Sequence, residues 1–270
     1  MPIQEKCRIL DHQKLSPKYL KLILSSAYIS SHAEPGQFIN VRCGEGYEPL
    51  LRRPFSLHRI SKEHKTFELL YEIVGEGTER LSRYTVGGEI DVLGPLGEGF
   101  KIDPKKQIAV LAGGGMGVAP LLALAEQIAQ DKLLTTHTYA LYIMIGGKNR
   151  DCVLCEEDFR KVSDQVLTAT DDGSYGKKGL ITDLLLDFLD NQLPTSNFQK
   201  TTIYACGPKA MLRAISEIAY QKRIDCQIST EEHMACGIGA CKGCPTKTKS
   251  GLKMVCKDGP VFDAKEIIWE

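Results

Sequence analysis

Charge of neither sign is in excess in this chain: 34 lysines and arginines stand against 34 aspartates and glutamates. That removes the electrostatic footprint of a nucleic-acid binder, and of a protein drawn to an anionic membrane surface. Long apolar runs are also missing. No stretch approaches the ~20 apolar residues that a membrane-spanning helix needs. The start, Met1-Pro2-Ile3-Gln4-Glu5-Lys6, carries no apolar core of a secretory signal. The strict dinucleotide fingerprint G-x-G-x-x-G does not occur where it would be expected, so a plain Rossmann assignment is not available. What the chain does have is cysteine, ten of them, without a sign of export. Cysteines in a reducing compartment serve metals or redox chemistry rather than disulfides. The expected location is therefore the cytoplasm. With 270 residues, 43% hydrophobic and 25% charged, there is room for two globular domains and a small appended one.

Four of the cysteines organise the rest. Cys236, Cys241, Cys244 and Cys256 fall in the pattern C-x4-C-x2-C-x11-C, the first three interleaved with Gly237, Gly239 and Gly243. An iron–sulfur cluster needs thiolates converging from one side with backbone N–H groups aimed at sulfur, and glycine permits that close approach. The x4, x2 spacing with a distant fourth cysteine is the plant-type [2Fe–2S] arrangement. Zinc is the main competitor, but this stretch holds one C-x2-C pair and not two. Cys152 and Cys155 form another C-x-x-C at the start of an expected helix; with no second pair nearby they read as incidental, as do Cys7, Cys43 and Cys226.

The first third, to about Leu93, reads as short strands near 7–10, 19–24, 37–42, 55–60, 66–73 and 89–93, punctuated by Pro35-Gly36, Gly44-Glu45-Gly46 and Gly87-Gly88. Six such strands with no convincing helix between them predict a closed antiparallel barrel. Within it, Arg52-Arg53-Pro54-Phe55-Ser56 puts guanidinium, ring and hydroxyl at the start of a strand, a set able to grip a pyrophosphate and flank a flavin. Gly75-Glu76-Gly77-Thr78 opens a short helix with free N–H groups.

From Gln107 the pattern changes. An apolar run, 107–112, leads into Gly113-Gly114-Gly115-Met116-Gly117-Val118-Ala119-Pro120 and then a helix over about 121–130. This is the strand, glycine turn and helix of a dinucleotide site, here in the form G-x-G-x-x-P. Strands near 139–145, 166–170 and 201–205 and helices near 182–189 and 209–222 continue a parallel sheet covered on both faces. Cys206-Gly207-Pro208 ends the last of those strands, where such sheets bind ligands. Lys148 and Arg150 follow a strand and leave the choice between NAD and NADP open.

On these motifs the chain resembles the ferredoxin–NADP reductase superfamily. Within that superfamily it is most similar to the electron-transfer subunits of NAD-dependent dihydroorotate dehydrogenase B, over essentially its whole length. The residues that carry the resemblance are Arg53-Pro54-Phe55-Ser56, Gly77-Thr78, Gly94-Pro95-Leu96-Gly97, Gly115-x-Gly117-x-x-Pro120, Thr170-Asp171-Asp172-Gly173-Ser174-Tyr175-Gly176 and Cys206-Gly207-Pro208. The two cluster segments, 232–244 and 255–262, complete the set. His233, where a basic arginine would be expected, and Pro245, directly after the third cysteine, depart from the family pattern.

The resemblance implies a three-part molecule: an FAD-binding β-barrel over 1–103, a Rossmann-like NAD-binding α/β domain over 104–226, and a plant-type [2Fe–2S] module over 227–270. It implies FAD held by Arg53, Pro54, Phe55, Ser56, Leu70, Tyr71, Glu72, Gly77 and Thr78. NAD+ would lie at Gly113, Gly115, Gly117, Cys206, Gly207 and Pro208, and the cluster on Cys236, Cys241, Cys244 and Cys256. Electrons from an FMN-containing catalytic subunit that oxidises dihydroorotate to orotate, in pyrimidine synthesis, would pass through the cluster and FAD to NAD+. No catalytic acid or base is expected on this chain, and two copies of each subunit would form a heterotetramer. Other readings stay open: the flavin and iron–sulfur subunit of a ferredoxin–NADP transhydrogenase or sulfide-linked reductase, or a redox-responsive module without enzymatic activity.

Overall fold

The computed structural model describes the whole chain except Glu45, residues 135–139 and Glu270, together with the side chains of residues 132–134. It divides into two compact units. The first comprises Met1–Gly99, Glu231–Thr246 and Leu252–Pro260; the second comprises Phe100–Thr230, Lys247–Gly251 and Val261–Glu270.

The first unit is built on a closed six-stranded barrel: β1 (Ile3–Lys14), β2 (Tyr19–Ser25), β3 (Phe38–Val41), β4 (Arg53–Ser61), β5 (Thr66–Glu72) and β6 (Glu89–Leu96), in the order β1-β2-β5-β4-β3-β6. All its pairings are antiparallel. The period of two that closes it is plain in β2, where Leu20, Leu22 and Leu24 are buried and the residues between them half-buried. Facing them in the core are Ile9, Ile39, Val41, Leu57, Phe67, Leu69 and Val92.

Two short helices interrupt the strands, where the sequence promised only one. The unforeseen helix, α1 (Ala27–His32), is capped by Ser26, whose Oγ accepts from Ile29 N at 2.9 Å. The expected one is α2 (Glu76–Leu81).

The second unit is an α/β sheet. Its strands are β7 (Ile108–Gly114), β8 (Ala140–Gly147), β9 (Val166–Thr170), β10 (Lys177–Lys178), β11 (Thr201–Cys206) and β12 (Asp225–Ser229), all parallel where they pair. Its helices are α3 (Ala119–Leu134), α4 (Glu156–Arg160), α5 (Ile181–Asn191) and α6 (Lys209–Lys222). β7 is buried at every position, as a strand covered on both faces must be. α5 turns Ile181, Leu184, Leu185, Phe188 and Leu189 to the core at the i, i+3, i+4, i+7, i+8 spacing of an amphipathic helix. Tyr139, expected to begin β8, lies outside the described residues.

After Cys244 come a two-stranded ribbon, β13 (Pro245–Thr248) and β14 (Gly251–Met254), a short helix α7 (Val255–Asp258) and β15 (Val261–Asp263). The sheet order is β10-β9-β8-β7-β11-β12-β15. The expected third domain spans 227–270. Its boundary at 226/227 falls inside β12, which is bonded to β11, and β15 closes the sheet edge antiparallel to β12. Residues 227–230 and 261–270 thus belong to the nucleotide-type unit, because the backbone groups of β12 need a partner on each side. The ribbon precedes Cys256, which sits on α7.

Candidate functional site: a thiol loop and two glycine turns

In the barrel unit the four cysteine sulfurs receive backbone N–H groups at close range. Cys236 Sγ accepts from Ile238 N at 3.5 Å and Cys241 N at 3.4 Å. Gly243 N donates to Cys241 Sγ at 3.4 Å, Gly239 N to Cys256 Sγ at 3.1 Å and Cys256 N to Cys244 Sγ at 3.4 Å. Gly237 and Gly239 make this possible with φ of +71° and +80°, a region that residues bearing a Cβ avoid.

The acidities of the loop follow from this geometry. Burial works against ionisation of Cys236, but the N–H groups of Cys241 and Ile238 outweigh it and bring the thiol down to about 6. Burial and the neighbouring Cys244 push Cys256 up to about 12. Among the described residues, no three ligating side chains close on one metal-ion position. The four thiols and the five N–H···S contacts fit a [2Fe–2S] cluster.

The turn Gly94–Gly97 meets the chain just after the fourth cysteine. Glu98 N donates to Gly259 O at 2.5 Å, and a Cβ on Gly97 would stand 2.5 Å from that oxygen and 2.7 Å from Pro260 Cδ. Two stretches far apart in sequence, one closing the barrel and one closing the thiol loop, are therefore packed backbone to backbone.

The Arg-x-Phe-Ser strand separates its two arginines. Arg52 is engaged: Nη2 donates to Asp91 Oδ1 at 2.8 Å, and Nη1 to Asp91 O at 3.1 Å and Asn40 O at 3.4 Å. Among the described residues the hydrogen-bond partners of Arg53 are carbonyls, Leu51 O at 2.7 Å and Arg52 O at 3.4 Å. It lies over Gly77, where a Cβ would stand 2.9 Å from Arg53 Nε. The structure thus brings the two expected flavin motifs into contact and, among the described residues, leaves the Arg53 charge without a carboxylate. Thr78 is buried, its hydroxyl used within its own turn: it accepts from Val74 N at 3.0 Å and Gly75 N at 3.2 Å and donates to Gly75 O at 2.9 Å.

Pro54, Ser56 and Glu72 are half-buried. Phe55 and Tyr71 turn into the barrel core, ring to ring at 5.7 Å, and the Tyr71 hydroxyl meets His12 Nε2 at 2.8 Å. Their side chains support the strands from inside. Leu70 is buried outside that core cluster.

In the other unit, the two glycine turns expected to hold a nucleotide stand side by side. β7 and β11 are paired so that Gly113 faces Cys206, at the place where the strand order changes direction. Such a switch point opens a crevice at the carboxyl ends of the strands. A Cβ on Gly117 would overlap the Cys206 carbonyl, and one on Gly114 would stand 2.5 Å from Met211 Sδ and 3.2 Å from Pro208 Cδ. Gly207 reaches φ +158°, with its own Cβ position 3.2 Å from Gly114 N. Gly115, at φ +53°, has open space around its Cβ position. The glycines here have distinct tasks: Gly114, Gly117 and Gly207 allow the turns to touch, while Gly115 provides the bend.

The remaining cysteines lie outside the thiol loop and the glycine turns. Cys7, Cys43 and Cys226 are buried, with burial pushing Cys7 up to about 12, Cys43 up to about 11 and Cys226 up. Cys152 and Cys155 are unbridged and flank the start of α4.

Residues 231–268 match the model of the iron–sulfur cluster binding domain of dihydroorotate dehydrogenase B, and residues 111–217 that of the oxidoreductase NAD-binding domain. The dihydroorotate dehydrogenase B (NAD(+)) electron transfer subunit of Desulforamulus reducens is 36% identical over 269 residues, covering 97% of each chain. Its counterpart in Geobacillus sp. strain WCH70 is also 36% identical, over 98% of each. The chain belongs to the family of dihydroorotate dehydrogenase B electron transfer subunits.

Among solved structures, NADH-dependent reduced ferredoxin–NADP oxidoreductase superposes with a TM-score of 0.84 at 27% identity, covering 97% of this chain and 90% of that one. The cytochrome b5 reductase domain of Ulva prolifera nitrate reductase shares the fold, with a TM-score of 0.66 at 15% identity over 82% of this chain and 94% of that one. In this electron transfer subunit the sequence motifs account for the thiols, the glycine turns and Arg53. They did not point to Asn40 of β3, which is buried against the thiol loop. A lone asparagine in an apolar strand, Phe38-Ile39-Asn40-Val41, is the signal that was there to read.

Proposed function

We propose that this chain is the electron-transferring half of a dihydroorotate dehydrogenase, carrying FAD and a [2Fe–2S] cluster on its barrel unit and receiving NAD+ on its α/β unit. The observation that carries this reading is the thiol loop: four cysteines with backbone N–H groups already directed at their sulfurs, in a chain that also holds a flavin-type and a nucleotide-type motif. When bound, the cluster carries single electrons, FAD exchanges one or two, and NAD+ accepts hydride, so together they connect one-electron with two-electron traffic.

The chain's own residues bind and position. Cys236, Cys241, Cys244 and Cys256 would hold the cluster, and the N–H groups of residues 238, 239, 241, 243 and 256 would offset the charge that collects on sulfur. Arg53 grips the FAD pyrophosphate, with Gly77 leaving room for the guanidinium. Pro54, Ser56 and Glu72 border the flavin, and Thr78 fixes the turn that begins α2. Gly113, Gly115, Gly117, Cys206, Gly207 and Pro208 form the floor on which NAD+ lies.

No side chain here acts as acid or base on the pyrimidine. That chemistry belongs to a separate FMN-containing subunit, with which the chain forms a heterotetramer in the cytoplasm. No helix among the described residues is long and apolar enough to cross a membrane.

Anaerobic purification with counts of flavin, iron, acid-labile sulfide and zinc tests the reading. One FAD with two irons and two sulfides per chain is expected, as is dihydroorotate-dependent NAD+ reduction once the FMN subunit is added. Zinc without sulfide, or no flavin, refutes it. A transhydrogenase subunit is the second reading, favoured by the 0.84 TM-score to the ferredoxin–NADP oxidoreductase. It would be revealed by activity with reduced ferredoxin and NADP+ but none with dihydroorotate and NAD+.

A further inference from the structure

On β3, Ile39 and Val41 point into the barrel core, so Asn40 between them faces outward. It is nevertheless only 1% exposed. What covers it is the thiol loop. Asn40 Nδ2 makes a long contact of 3.5 Å to the Cys236 carbonyl oxygen. A Cβ on Gly237 would overlap that same nitrogen and stand 3.5 Å from Leu96 Cδ1. Asn40 Oδ1 is buried with no hydrogen-bond partner among the described residues.

The backbone beneath the amide is braced. Asn40 O accepts from Arg52, which is itself bonded to the carbonyl and carboxylate of Asp91 on β6. Across the ladder Asn40 pairs with Pro54, inside the strand that bears Arg53 and Ser56. Asn40 therefore stands on the short structural path between the first cluster ligand and the flavin-type motif.

An amide so poorly satisfied in so buried a place is costly, and an apolar residue of similar size would avoid the cost. Stability of the barrel does not account for it. We propose that Asn40 is a positioning residue for the iron–sulfur cluster: its carboxamide seats the Cys236–Gly237 arm on β3 and so fixes Cys236 relative to the flavin strand. The inference rests on the cluster reading above. Cys236 Sγ accepts from two N–H groups of this same arm, at residues 238 and 241. If the arm slides, those donors lose their aim, and donors to cluster sulfur favour the more negative, reduced state. Without the Asn40 amide the cluster becomes harder to reduce.

The test uses the full-length chain purified anaerobically with FAD and cluster in place. Wild type must first contain two irons and two sulfides per chain; their absence overturns the cluster reading, and this inference with it. Asn40→Leu keeps the volume and removes the unsatisfied amide. Asn40→Asp keeps the shape but replaces the donor with an acceptor of negative charge. Both variants are expected to retain flavin, iron and NADH-driven dye reduction. Both should show an altered EPR signal of the reduced cluster, and a reduced-to-oxidised ratio about tenfold lower at the wild-type midpoint. Asn40→Leu is expected to be no less stable than wild type. A wild-type EPR signal and midpoint in Asn40→Leu overturns the proposal.

A second measurement does not depend on that variant folding. Gly237→Ala forces a Cβ onto Asn40, so adding Asn40→Ala should recover iron content relative to Gly237→Ala alone. Purely additive losses in the double variant would mean that Asn40 does not seat this arm.

Discussion

The two neighbouring arginines of β4 give the sharpest prediction, because the structure assigns them different tasks. Arg53 has no carboxylate partner within ion-pair distance among the described residues and rests over Gly77. A bidentate, charge-assisted contact from such a guanidinium to a pyrophosphate contributes about 3 kcal/mol, roughly a 150-fold change in affinity when removed. Arg53→Ala should therefore lose FAD during gel filtration, with the barrel intact. Arg52 is part of the fold: its ion pair with Asp91 spans 2.8 Å between side chains only 20% and 17% exposed. Removing one partner from a pair this enclosed costs about 2 kcal/mol, between the values for exposed and fully buried pairs. Arg52→Ala should lower the apparent melting temperature by about 4–8 °C and leave FAD affinity within roughly threefold of wild type. Flavin fluorescence titration of the apoproteins and thermal melts separate the two. The reasoning fails if Arg53→Ala binds FAD as tightly as wild type, or if Arg52→Ala loses flavin while melting normally.

Cys241→Ser removes one iron ligand from the exposed side of the loop; dihydroorotate-driven NAD+ reduction should fall below detection, with NADH-driven dye reduction by FAD retained, and a variant keeping both activities would refute the relay. Gly117→Ala forces a Cβ into the Cys206 carbonyl, where only backbone can yield, so the KM for NAD+ should rise at least about tenfold with flavin and iron content unchanged. Gly115→Ala meets open space and bears only the strain of φ +53°, about 1 kcal/mol, so steady-state kinetics should place it well above Gly117→Ala. Asp225 is hydrogen-bonded by Lys106 and Lys265, which hold its carboxyl below the usual range. Its stabilisation is present above the unfolded carboxylate value, about pH 4, and is lost as pH falls through the lower folded value. With the side chain 51% exposed, the difference between wild type and Asp225→Asn should be about 0.5–1 kcal/mol at pH 7 and vanish toward pH 2, read from urea midpoints.

Local pattern carried far in this chain. The period of two in β2, the unbroken apolar run of β7 and the helical stripe of α5 each state their own geometry, because a half-buried strand, a doubly covered strand and an amphipathic helix bury different faces. Cys236, Cys241, Cys244 and Cys256 were legible for the same kind of reason. Ligand spacing is a property of the chain itself, and glycines between thiols mark where backbone must approach sulfur.

What could not be read locally were the consequences of pairing at long range. Nothing within residues 227–229 or 261–263 says that both strands complete the α/β sheet; that follows from the open edge of β11, created elsewhere. Arg52 and Arg53 are chemically identical neighbours, and only the arrival of Asp91 from β6 and Gly77 from α2 makes one structural and the other available. Phe55 and Tyr71 sat in motifs that suggested flavin contact, yet closure of the barrel turned both rings inward. Asn40 is the extreme case, since its significance lies wholly in a loop almost two hundred residues away, |i−j| = 196. Sequence by itself determined which groups could bind iron, flavin and nucleotide, because those capacities reside in residue type and spacing. Tertiary structure decided which of them are free to do so, because freedom depends on what the folded chain places beside each one.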